Sequence, residues 1–91
     1  MATNEEQVKL AAKLYKCRDA AKTLYGETYL EKMADYQKYI KGAMIKFGMD
    51  CEIKATMKMI EELGSEADGM ITMLLLAACV ELVEPSKEGV L

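Results

Sequence analysis

Apolar side chains recur at three- and four-residue steps along most of this chain, which is the spacing of one face of an α-helix. Leu10, Leu14, Cys17, Ala21 and Leu24 form the first stripe, widened by Val8, Ala11 and Tyr15. Tyr29, Met33, Tyr36, Ile40, Ala43 and Phe47 form a second, and Ile53, Met57, Ile60 and Leu63 a shorter third. Gly26, Gly48 and Gly64 follow the three stripes and predict helix ends, since glycine accepts the left-handed backbone that closes a helix. Thr3 to Glu6 and Thr28 to Glu31 both read as capping boxes, and Asp50 as a cap for the third helix. Gly42 falls inside the second helix, where it costs about 1 kcal/mol relative to Ala; it predicts a close approach by a neighbouring helix.

The fourth segment breaks the amphipathic pattern. From Met70 to Val80 only Thr72 interrupts an apolar run, and a helix apolar all round must be buried all round. A start after Ser65, with Glu66 and Asp68 in the first turn, and a stop before Pro85 bound this helix. The fold expected is all-α: a bundle of about four helices at roughly 4–25, 29–47, 51–63 and 66–84. Residues 1–85 form the single domain and residues 86–91 a flexible tail. Three short partners leave part of the fourth helix uncovered on this reading. Met70, Met73, Leu74, Leu75, Leu76 and Val80 are therefore expected to meet a second copy, giving a homo-oligomer.

Composition sharpens that expectation. Hydrophobic residues make up 52% of only 91 residues, and a chain this short buries only about 60–65% of its unfolded surface. Some apolar surface is thus left for a docking face. The net charge of −3 argues against direct nucleic-acid binding, but the charge is unevenly spread. Residues 1–46 carry nine Lys/Arg against six Asp/Glu; residues 47–91 carry three Lys against nine Asp/Glu. All five tyrosines lie in the basic half.

Little catalytic chemistry is on offer. The absence of histidine removes the most frequent general acid/base and the most frequent metal ligand. Cys17, Cys51 and Cys79 are odd in number and widely spaced, with no zinc or disulfide pattern; Cys17 and Cys79 read as buried and inert. Glu61/Glu62, Glu66/Asp68 and Glu81/Glu84 read as solvated helix edges rather than catalytic pairs. No enzyme, cofactor or metal is therefore expected. The longest apolar run is too short to span a bilayer, and free cysteines without a leader suit the reducing cytoplasm.

The basic half offers the better lead. Ammonium groups meet negative charge while phenol rings stack or fill apolar pockets. Lys13, Tyr15, Lys16, Arg18, Lys22, Tyr25 and Tyr39 are the residues expected to bind a ligand or partner; Tyr29 and Tyr36 sit on an apolar stripe and are assigned to the core. The function expected is that of a small helical protein that binds and regulates or inhibits a macromolecular partner. The alternative is an oligomer that traps a small anionic ligand such as a nucleotide.

Overall fold

The computed structural model of the protein describes residues 4–66 and 68–84. These residues form four α-helices and no strand. Helix α1 runs Asn4–Tyr25, α2 Tyr29–Phe47, α3 Glu52–Leu63 and α4 Gly69–Val83, with one-turn 3-10 helices at Gly26–Thr28 and Gly64–Glu66. The expected order and number of helices stand, with α4 beginning three residues later than anticipated.

The helix ends show which local signals operate. Gly48 adopts φ 65° and ψ 35°, and its N–H and that of Met49 close back on the carbonyls of Ile45 and Met44. A side chain there would collide with its own backbone, which is why glycine marks this stop. Thr28 does not cap α2. Its hydroxyl instead donates backwards to the carbonyl of Tyr25 at 2.8 Å, fastening the 3-10 turn between α1 and α2. Cys51 rather than Asp50 occupies the cap position of α3, without a side-chain hydrogen bond. Asp68, not Ser65, caps α4: its carboxylate accepts the Ile71 N–H at 2.8 Å, because Gly64–Glu66 are already spent on the intervening turn. Thr3, Pro85 and the tail at 86–91 lie outside the described residues.

Helix α4 is the centre of the bundle, packed against each of the other three. Eight consecutive residues, Leu74 through Glu81, are buried. This is the all-round burial that the apolar run requires. It is achieved inside one chain: Leu74, Leu75, Leu76 and Val80 are each 3% exposed or less. They are therefore not available to a second copy, and the expectation that they form an oligomer interface is corrected. The error was geometric. Three helices of 12 to 22 residues suffice to enclose the middle of a 15-residue helix, and its two ends, with Met70 and Val83, stand clear; Met73 is half-buried.

On α1 the seam against α4 passes through Leu14, Arg18, Ala21 and Tyr25, which are buried or half-buried. Leu24, placed in the stripe by sequence, is 53% exposed, and Val8 is 67% exposed. Cys17 keeps its place against the core, and Arg18 beside it joins the seam although periodicity left it outside the apolar stripe. On α2 the anticipated stripe holds, with Tyr29, Met33, Ile40 and Ala43 buried and Tyr36 and Phe47 half-buried. Wedged between α2 and α4, α3 buries a wider arc than its apolar edge. It includes Ala55 and Thr56, both fully buried. The Thr56 hydroxyl donates to the Glu52 carbonyl at 2.8 Å, so its burial leaves no lost hydrogen bond.

Gly42 does not admit a neighbouring helix. A methyl group built at this position meets nothing within 4 Å, and the residue is exposed. Replacement with alanine then keeps the helical backbone and restricts only the unfolded chain. Gly42→Ala is expected to raise the unfolding free energy by about 0.5–1 kcal/mol, read from urea melts; a loss would mean that the glycine is needed for a contact.

Candidate functional site

Two groups of polar and aromatic side chains stand out, and they divide the residues that the sequence had placed together.

The first group joins α1 to the end of α4. The Arg18 guanidinium approaches the Glu81 carboxylate, with Nη1 at 3.5 Å from Oε1, and donates to the main-chain carbonyl of Glu84 at 3.0 Å. It also stacks over the Tyr15 ring, 4.9 Å from its centroid. The Tyr15 hydroxyl donates to the Glu84 carboxylate, and that hydrogen bond, ahead of burial, holds the phenol above its ordinary pKa. Tyr29, at the start of α2, lies near the Glu81 carboxylate. Burial first, then the nearby Glu81, pushes its phenol well above the ordinary value. Tyr15 and Arg18 were expected to recognise a ligand; their hydrogen bonds go to Glu84, the Arg18 ion pair goes to Glu81 of α4, and their ring contact is with each other. They act as fasteners between the first and last helices. Glu81 has a side chain only 5% exposed, so it is no solvated helix edge as its sequence position suggested.

A stability consequence follows from Tyr29. Its folded pKa lies above its unfolded value of about 10, so folding favours the protonated phenol. That contribution is fully present below pH 10 and is lost as the pH rises toward the folded value. Burial raises the Cys17 and Cys79 thiols as well, which adds loss of the same sign from about pH 9. Chemical melts are expected to show falling stability above pH 9 to 10, with a shallower fall in Tyr29→Phe. An identical slope in the two proteins would refute this assignment.

The second group lies on the flank of α2. The turn after Tyr25 brings α1 round so that its last residue meets the first two turns of α2. Lys32 then sits between two rings, its Nζ 5.8 Å from the centroids of both Tyr25 and Tyr36. Tyr36 and Tyr39 meet edge to face, with centroids 5.8 Å apart and an interplanar angle of 68°, an arrangement that aromatic pairs favour. Tyr39 is 62% exposed. Two shallow depressions flank Lys32, of about 290 Å³ and 280 Å³, and both share Asp35. Glu31 lines one and Lys38 the other.

Of the residues singled out by sequence, Tyr25 and Tyr39 fall on this face. Lys13 and Lys16 stand exposed on α1, and Lys22 lies 5.9 Å from the Tyr29 ring centroid. Lys32 and Tyr36 were missed as site members. Their signal was present, since residues 32, 36 and 39 recur at helical steps, but the stripe assignment claimed Tyr36 for the core. Among the described residues no group of three or more Cys, Asp or Glu side chains comes together in a way that could hold a metal ion. None of the described helices is long and apolar enough to cross a membrane. Compared with protein-family models, with curated proteins and with solved structures, the chain finds no match.

Proposed function

We propose that the chain is a non-enzymatic binding domain that regulates a protein partner through the tyrosine face of α2. The observation that carries this is the clustering of Tyr25, Tyr36 and Tyr39 around Lys32, with Tyr39 largely exposed. Tyrosine contributes a large amphipathic contact area with few torsions to freeze, and it is enriched where proteins bind proteins. Here Tyr36 and Tyr39 already touch and the Lys32 ammonium lies over the Tyr25 and Tyr36 rings, so less freedom is lost on binding.

The local charge favours a protein over a nucleotide. Glu31 and Asp35 line the same depressions as Lys32 and Lys38, and phosphate groups entering there would meet two carboxylates. The depressions are also at or below the small end of small-molecule pockets, which run from about 300 Å³. A mixed-charge rim around aromatic rings suits a folded surface or peptide with both signs of charge.

The test is a photo-crosslinker placed at position 38, next to the rings, in the full chain. A defined protein captured from host lysate, displaced by excess wild-type chain and not by Tyr39→Ala, supports the proposal. Loss of Tyr39 is expected to weaken binding at least tenfold, the scale of an interface hot spot of about 1.4 kcal/mol or more. Thermal stabilisation by nucleotides, abolished in Tyr39→Ala, would overturn it in favour of a small anionic ligand.

A further inference from the structure

The far end of α2 carries a different surface. Ile45 is 84% exposed, the most exposed large hydrophobic side chain among the described residues. It stands at a broad depression lined by Lys41, Met44, Gly48, Met49 and Asp50. Lys41 lies one turn before Ile45 on the helix and Lys38 two turns before it, both exposed. From residue 36 to residue 50 there are three lysines and a single acid, Asp50. This is an apolar knob in a basic surround.

A surface of the opposite kind lies across the 3-10 turn between α3 and α4. Met70 is 47% exposed. Glu61, Glu62, Glu66 and Asp68, just before it in sequence, are all exposed. No Lys or Arg occurs between residues 59 and 84; the cation just before them in sequence, Lys58, lies 3.9 Å from Glu62. Helix α3 separates the two surfaces. Its first residue follows the basic one and its last turn holds Glu61 and Glu62, so roughly 18 Å of helix lies between them. A single molecule cannot bring them together.

We infer that these two surfaces bind each other between copies: the Ile45 surface of one chain seats the Met70 surface of the next. Opposite charge around two exposed apolar side chains is what makes the second copy the fitting occupant. The contact is heterologous, because the two sides differ, so it propagates as a ring or an open chain rather than a two-fold dimer. Methionine on both sides suits such a contact, since its flexible thioether adapts to irregular surfaces. Opposite charges at a solvent-exposed rim make the association salt-dependent, as screening shortens from about 10 Å at 0.1 M salt to about 3 Å at 1 M.

Sedimentation of the full chain tests this with two variants, Ile45→Asp and Met70→Lys. Each places a like charge against the opposing surface, and each replaces an exposed residue, so helix content by circular dichroism is expected to match wild type. Wild type is expected to exceed the mass of one chain, 10.2 kDa, as concentration rises at low salt, and to revert toward it at high salt. Each variant alone is expected to remain a single chain. Mixed in equal amounts they are expected to associate again, because one retains the Met70 surface and the other the Ile45 surface. A wild-type chain that stays single at every concentration, a variant that still associates, or a mixture that stays single would each overturn the inference.

Discussion

Arg18→Ala is expected to lower the unfolding free energy by about 3 kcal/mol, the lower end of what breaking a buried ion pair costs. The magnitude comes from what remains behind. Glu81 keeps a side chain only 5% exposed beside a cation that is gone, and a buried charge without that compensation is expensive. The Glu84 carbonyl loses a donor and the Tyr15 ring loses its stacking partner. The low end applies because the Arg18 side chain retains 18% exposure, so water softens part of the loss. For a domain of this length about 1 kcal/mol moves the melting temperature by 4–8 °C, so a fall of about 15 °C is the thermal reading. Replacing both partners by apolar residues of similar size, Arg18→Met with Glu81→Leu, is expected to return most of the stability, since desolvation then costs nothing. A single-variant loss under about 1 kcal/mol, the worth of an exposed pair, would mean that the seam between α1 and α4 is not held this way.

Leu76→Ala carries the other large effect, a loss of about 3 kcal/mol within the 2–5 kcal/mol span of buried leucine truncations. Leu76 is 1% exposed and packs with Leu14 and Val80, with Leu10, Met57 and Ile60 around them. Those neighbours come from α1, α3 and α4, so no single side chain can collapse into the space. Because the covering residues belong to the same chain, the loss should be the same at every protein concentration; a loss that shrinks on dilution would place Leu76 between copies instead. Ile45→Ala serves as the contrast. At 84% exposure it is expected to change stability by no more than about 0.5 kcal/mol.

Arg18 and Leu76 also mark how far the sequence could be read. The number of helices, their order and the glycine stops were legible, because each depends on residues close together in the chain. The burial of Leu74 to Leu76 was legible too, since no polar face interrupts that run. Its partner was not. Whether three helices can enclose a fourth depends on their crossing and spacing, which periodicity does not record, and so Leu74, Leu75, Leu76 and Val80, expected between copies, lie in the interior of one molecule. Arg18 was misread for a related reason. In a one-dimensional pattern an arginine is a surface residue, and only the return of α4, 66 residues later in the chain, supplies the Glu84 carbonyl and the Glu81 carboxylate that allow it to sit in the seam.

The candidate site divides along the same line. Tyr25 and Tyr39 were legible as freer tyrosines of the basic half. Their meeting around Lys32 depends on the turn at Gly26–Thr28, where Thr28 turns its hydroxyl back to Tyr25 instead of forward into α2. By itself the sequence determined the helices, their ends and the apolar character of the last one, because short-range sterics and burial preference are written residue by residue. Tertiary structure alone decided which charged groups are buried, which tyrosines share a face and what covers α4, because these depend on groups brought together from distant parts of the chain.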